Sequence, residues 1–304
     1  MPGSEAKLLQ HTQHTQIDVK FDNDLAVVWA FMTPHPRPCF NLSLLDELRA
    51  FIQSIKGSYT SGRTGNPVCY GVLASKTPGV FNLGGDLTLF RTMILSQDRT
   101  GLLEYGKRCV ENLLGWHRNC DVAMTSIALV QGDALGGGFE AALSASVLIA
   151  EESSRMGFPE ILFNLFPGMG AFSFLSRKIG RRLAEEMITS GTIYSARQLY
   201  DLGVIDVLTP DGTGEAAVHG FIRKHSRNMT GRQAFERARN VVSPVTEDEL
   251  LRIVDIWADT ALKLQERDLK VMERLIRAQQ RSTQCADEQG KSINVFPMHA
   301  ALRS

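Results

Sequence analysis

The residue types best suited to chemistry lie between Ser126 and Glu160, in SIALVQGDALGGGFEAALSASVLIAEESSRMGFPE. Gly136, Gly137 and Gly138 lead into a segment of helix-forming composition that carries Glu140 in its first turn. Glycines at the mouth of a helix let the backbone turn tightly and bring a ligand close to bare N–H groups, which suits an anion or a developing oxyanion. A carboxylate in a first turn is also favoured by the helix dipole, so Glu140 alone needs no chemical role. Glu160 changes that. It follows Pro159 in the loop-like GFPE stretch, and a second acid returning near the first supplies paired carboxylates for proton transfer.

These residues need elements to position them. Ile127 to Val130 and Val147 to Ala150 are short apolar runs that read as buried strands on either side of the glycine-rich helix. Upstream, IDVKFDNDLAVVWAFM alternates, turns at Asn23-Asp24 and continues apolar, the pattern of a β-hairpin. NLSLLDELRAFIQSIKG predicts an amphipathic helix with Ser43 as N-cap, and PVCYGVLAS a buried strand. In KTPGVFNLGGDLTLF a Gly-Gly pair precedes a helix, a motif that by itself is only a turn; residues 87–119 read as helical. Beyond Glu160 come a glycine-rich turn, two further helices and the strand-like VIDVL. Strands alternating with helices predict an α/β core. From Gly214 strand signals vanish, and Leu250, Ile253, Trp257, Ala261, Leu264, Met272, Leu275 and Ile276 recur at helical spacing. The divisions expected are a flexible arm (1–15), a core (16–213), a helical region (214–284) and a flexible tail (285–304).

Composition removes several function classes. The chain has 304 residues, 43% of them hydrophobic, enough for a full core. Lys plus Arg and Asp plus Glu are 33 each, so no global field draws it to nucleic acid or an anionic membrane. Five cysteines without CxxC spacing fit reduced thiols, and the histidines lack metal-ligand spacing, so no metal is expected. The polar N-terminus and the lack of a long apolar run predict a cytoplasmic protein. There is no GxSxG for a serine hydrolase, and no Lys-Ser/Thr follows the glycines as in a phosphate-binding loop.

Three motifs in order, FNLGGDL, VQGDALGGGFEAAL and GFPEILFNLFPGMGA, together with YSARQLYDLGVIDVL, resemble the crotonase (enoyl-CoA hydratase/isomerase) superfamily over roughly residues 17–210. Within it they look most like the bacterial diffusible signal factor synthases. The resemblance implies a crotonase-like spiral of ββα units with a C-terminal helical region. It implies an oxyanion hole from the N–H groups of Leu83 and Gly137, with Gly84, Gly85 and Gly136 beside it, and Glu140 and Glu160 as catalytic acids. Leu135, Met169, Trp257 and Leu275 match positions associated with an apolar acyl site, though each alone is equally ordinary core packing.

The activity implied is dehydration of a 3-hydroxyacyl thioester, carried on acyl carrier protein or CoA, followed by hydrolysis to a cis-2-unsaturated fatty acid that serves as a quorum-sensing signal. No other cofactor is implied. The alternatives are an enoyl-CoA hydratase that leaves the thioester intact and a catalytically silent partner-binding protein. The resemblance also implies a sensor kinase regulator and a homo-oligomer, trimer or hexamer. The basic cluster Arg177, Lys178, Arg181 and Arg182 is a candidate contact for phosphates or an acidic carrier protein.

Overall fold

A computed structural model describes residues 14–60 and 68–289. The strands are β1 (Ile17–Asp22), β2 (Val27–Met32), β3 (Tyr70–Ser75), β4 (Val80–Asn82), β5 (Thr125–Val130), β6 (Asp133–Leu135), β7 (Val147–Glu151), β8 (Arg155–Gly157), β9 (Ile193–Ser195) and β10 (Val207–Thr209). The helices are α1 (Leu42–Thr60), α2 (Leu87–Leu95), α3 (Arg99–His117), α4 (Gly137–Ser144), α5 (Ala171–Ile179), α6 (Arg181–Ser190), α7 (Ala196–Asp201), α8 (Gly214–His225), α9 (Met229–Val242), α10 (Glu247–Ala261) and α11 (Glu266–Gln289).

Two sheets organise them. The larger has the order β1-β2-β3-β5-β7-β10, antiparallel only at the β1/β2 hairpin. Its central strands are buried on both faces, as parallel strands covered by helices must be. Val28, Ala30 and Met32 point into the main core, whereas Val27, Trp29 and Phe31 alternate to the opposite face and pack with Val218 and Ile222 of α8. The smaller sheet has the order β4-β6-β8-β9, with β4, β6 and β8 parallel. A bidentate pair from Arg155 to Asp133, at 3.0 and 2.8 Å, ties β8 to β6 at the start of both strands.

Three local expectations are revised. The cap of α1 is Asn41, whose Oδ1 accepts the Leu44 N–H at 2.8 Å, rather than Ser43. The helical stretch 87–119 breaks into α2 and α3 at Ser96–Asp98, where Gln97 has φ +54° and Asp98 caps the new helix through the Gly101 N–H at 2.9 Å. The last helix continues to Gln289, past Cys285, where sequence pattern runs out. At the other end Thr15 is anchored on Glu47 (2.9 and 2.7 Å), and the arm before residue 14, the segment 61–67 and the tail 290–304 lie outside the described residues.

The C-terminal helices fold back onto the core. α10 lays Leu250, Val254, Trp257, Ala258 and Ala261 against it, with Val254 packed where Gly106 of α3 has no side chain. α11 buries Leu269, Met272 and Leu275. Among the described residues no helix is long and apolar enough to cross a membrane.

Candidate active site

The three parallel strands of the small sheet each end in a piece of the site. β4 runs into Leu83-Gly84-Gly85, β6 into Gly136-Gly137, and β8 through Phe158-Pro159 to Glu160. Ligand sites in parallel α/β sheets lie at such carboxyl ends, because there the chain leaves the sheet with its backbone groups unspent.

The segment after β4 can be resolved donor by donor. The Leu83 N–H goes to Pro38 O at 2.8 Å, and the Gly84 N–H to the Oδ1 of fully buried Asn82 at 2.8 Å. Leu83 therefore has no N–H to offer an oxyanion. Gly85 has; its nitrogen lies 3.5 Å from where a Gly137 Cβ would stand. Asp86 then caps α2 through Thr88 N (3.1 Å) and Leu89 N (3.2 Å) while pairing with Arg37 at 2.6 Å, so the Asp of the motif fixes the loop geometry.

The second donor comes from α4. Gly136 precedes the helix at φ +52°, ψ −123°, a conformation open to glycine alone, and a Cβ there would strike Oε1 of Glu160. A Cβ on Gly84 would lie 2.8 Å from Leu135 O and 3.0 Å from Gly137 N. Absence of side chains thus lets the two loops meet, with Gly137 N 3.0 Å from where a Gly84 Cβ would stand and Gly85 N 3.5 Å from where a Gly137 Cβ would. Two such donors form a pocket for a negative oxygen, each typically worth about 2.7–4 kcal/mol to a transition state.

The two acids differ in environment. Glu140 is 2% exposed, and its Oε1 accepts the Met169 and Ala171 N–H groups, both at 2.9 Å. Burial pushes its pKa up to about 7, opposed by those backbone donors, which favour the carboxylate. Glu160 opens a 3-10 turn (Glu160–Phe163), and its Oε2 is buried without a hydrogen-bond partner. Burial and then the charge of Glu140 push it up to about 8. At neutral pH the pair therefore favours an ionised Glu140 beside a protonated Glu160.

Leu83, Gly84, Gly85, Leu135, Gly136, Gly137, Glu140, Glu160, Met169, Trp257 and Leu275 all line one cavity of about 130 Å³. The sequence-based selection is thus gathered at one place, with the Leu83 N–H taken up by Pro38 O. Sequence reasoning missed much of the rest of the wall, including Leu45, Leu48, Phe51 and Ile52 from α1, and Tyr105, Cys109, Asn112 and Trp116 from α3. Their signal was present as the apolar face of each helix, but periodicity does not distinguish a lined cavity from a filled core. The basic cluster is largely committed elsewhere: Arg177 pairs with Glu249 (2.8 Å), Lys178 with Asp206 (3.0 Å) and Arg181 with Glu185 (3.0 Å), and Arg182 is exposed.

Residues 30–270 match the family described as enoyl-CoA hydratase/isomerase, which spans most of the chain. The chain belongs to that family. Its relatives include the enoyl-CoA isomerase/hydratase fer4 of Mycosarcoma maydis, 32% identical over 243 residues, covering 77% of this chain and 83% of the relative. Another is the probable mitochondrial enoyl-CoA hydratase 2 of Arabidopsis thaliana, 27% identical over 224 residues (72% and 71%). Among solved structures, the Bacillus halodurans enoyl-CoA hydratase superposes with a TM-score of 0.72 at 18% identity, covering 85% of this chain and 99% of that one. Pseudomonas aeruginosa DspI superposes at 0.65 and 21% identity, covering 81% and 96%. At such identities the likeness is one of fold. Membership of the enoyl-CoA hydratase/isomerase family fits a thioester carbonyl at the paired N–H groups, and the crotonase-like α/β fold with its helical C-terminal region is the one expected.

Proposed function

We propose that the protein dehydrates a 3-hydroxyacyl thioester and then hydrolyses the product to a free 2-unsaturated fatty acid, a diffusible signal. The observation that carries the reading is the pair of buried glutamates, Glu140 held by two backbone N–H groups and Glu160 with an unpartnered Oε2, in the wall of one apolar cavity beside Gly85 and Gly137. The thioester oxygen accepts from Gly85 and Gly137. Ionised Glu140 takes the C2 proton, the oxygen holds the enolate charge, and Glu160 gives its proton to the departing C3 hydroxyl, which leaves as water. Glu160 is then a carboxylate. It removes a proton from a water that attacks the thioester carbonyl, the same N–H pair holds the tetrahedral oxyanion, and the C–S bond breaks with the carrier thiolate taking the proton Glu140 drew from C2, which restores both glutamates. Neither the elimination of water nor the hydrolysis changes an oxidation state overall, and acid–base groups with an oxyanion site are sufficient for both.

Mass spectrometry of the products from 3-hydroxydodecanoyl-acyl carrier protein tests this. Free unsaturated acid from the wild type, lost in Glu140→Gln and Glu160→Gln, is the expected result. Unsaturated thioester without free acid supports the second reading, an enoyl-CoA hydratase, which the names of the relatives favour. No turnover supports a silent binding protein. The carrier is acyl carrier protein or CoA, distinguished by offering both thioesters. The similarity to signal factor synthases further supports restraint by a sensor kinase, which a pull-down with purified kinase domain tests.

A further inference from the structure

Two buried polar atoms in the cavity wall have no part in the chemistry above. Asn112 (8% exposed) and Trp116 (4% exposed) lie one turn apart on α3, and both line the cavity. Both amide hydrogens of Asn112 are committed, to Leu45 O at 3.0 Å and Arg108 O at 2.9 Å. That fixes the amide's orientation and leaves Oδ1 as a buried acceptor with no partner. The Trp116 Nε1–H is a buried donor with no partner. The outer edge of its indole sits in the space that Gly71 leaves without a side chain, 3.0 Å from where a Cβ would be. The other hydroxyls of the wall are spent: Tyr105 donates to Phe40 O at 2.6 Å and Ser144 to Ala141 O at 2.7 Å.

Helix α3 also measures the distance from the reacting end. Tyr105 Oη lies 3.4 Å from where a Gly85 Cβ would be, so this residue marks the N–H pair. Asn112 and Trp116 follow seven and eleven residues later, roughly 10 and 16 Å along the helix at about 1.5 Å per residue. An extended chain of single bonds advances roughly 1.2 Å per bond, so an acyl chain reaches them near roughly its ninth to fourteenth carbon.

We propose that Asn112 and Trp116 form a polar stop in the acyl cavity that selects a hydroxyl carried near the far end of the chain, remote from the thioester. A hydroxyl carries the complementary pair of groups, an O–H for Asn112 Oδ1 and an acceptor oxygen for Trp116 Nε1–H. A plain hydrocarbon at that depth buries an acceptor and a donor unpaired, and sites built this way reject the analogue that lacks the hydroxyl. The inference rests on the cavity being an acyl site, as proposed above, and not on which reaction follows.

The test is calorimetric binding of non-hydrolysable saturated alkyl-CoA thioethers of ten, twelve and fourteen carbons, each beside its ω-hydroxy counterpart, to the full chain. At one of these lengths the hydroxylated ligand binds about tenfold or more tighter than the plain one. Trp116→Phe, which keeps the aromatic packing, and Asn112→Leu each bring that ratio close to one. Equal affinities at every length in the wild type overturn the proposal and leave a buried water as the partner of both atoms; no binding of any ligand overturns its basis. The wild-type comparison needs no variant, so a misfolded variant does not rescue it. Selective binding without turnover refutes the proposed reaction and leaves the polar stop standing.

Discussion

The division of labour between Glu140 and Glu160 predicts a narrow pH–rate profile. Dehydration needs Glu140 ionised and Glu160 protonated, and their values of about 7 and about 8 leave a window near pH 7.5. With both groups required, the rate falls on the acid side as Glu140 takes a proton and on the alkaline side as Glu160 loses one, each limb steepening to about tenfold per pH unit. kcat/KM for 3-hydroxyacyl thioester, measured from about pH 5.5 to 9.5 in buffers of constant ionic strength, reads both limbs. Glu140→Gln removes the base and lowers the rate by about 10²–10⁴. The charge of Glu140 raises Glu160, so in that variant the limb belonging to Glu160 moves to lower pH. A rate that is flat across the range, or a Glu140→Gln variant within tenfold of wild type, refutes the assignment.

Three further outcomes follow from the same geometry. Both glutamates titrate above the usual 4.5, so between that pH and about 8 the folded chain holds more protons than the unfolded one. Stability is therefore highest below the unfolded value and falls as pH rises through the window; Glu160→Gln raises Tm relative to wild type at alkaline pH but not near pH 4, by calorimetry. Gly136→Ala puts a methyl group onto Glu160 Oε1 in a backbone conformation that only glycine tolerates, so at least a hundredfold loss of kcat is expected, with a folded far-UV spectrum. Finally, Phe235, Val241 and Val242 on α9 are 70%, 82% and 84% exposed, apolar side chains of the kind buried when copies of a chain associate. Phe235→Asp then shifts the mass seen by light scattering to a smaller species, and an unchanged mass sinks that reading.

Much of this architecture was legible because it is written in local pattern. The β1/β2 hairpin, the strands around the glycine-rich helix and the helical run after residue 214 depend on periodicity and turn residues within a few positions. Glu140 and Glu160 drew notice for a related reason: one follows a glycine run at a helix mouth and the other follows Pro159 in a loop-like stretch. The choice between Leu83 and Gly85 was not. It turns on Pro38, far upstream, whose carbonyl takes the Leu83 N–H once Phe40 has paired with Gly84 O at 2.7 Å. Both residues sit in the same short motif, and only the distant partner decides which donor is left over. The α1 and α3 walls were hidden differently, since Phe51 or Trp116 looks the same in a sequence whether it faces another side chain or a void.

The seating of the C-terminal helices deserves its own reading. Trp257 of α10 packs its ring where Gly168 has no side chain, and the next residue, Met169, donates the N–H that steadies Glu140. Arg91 of α2 meanwhile reaches Glu273 of α11 at 2.8 Å, clasping the roof to the helix that follows Gly85. The far end of the polypeptide is therefore mechanically geared to both halves of the site, the base and the oxyanion donor. A substitution that unseats Trp257 or parts Arg91 from Glu273 disturbs the backbone around Glu140 or the helix after Gly85 from more than ninety residues downstream.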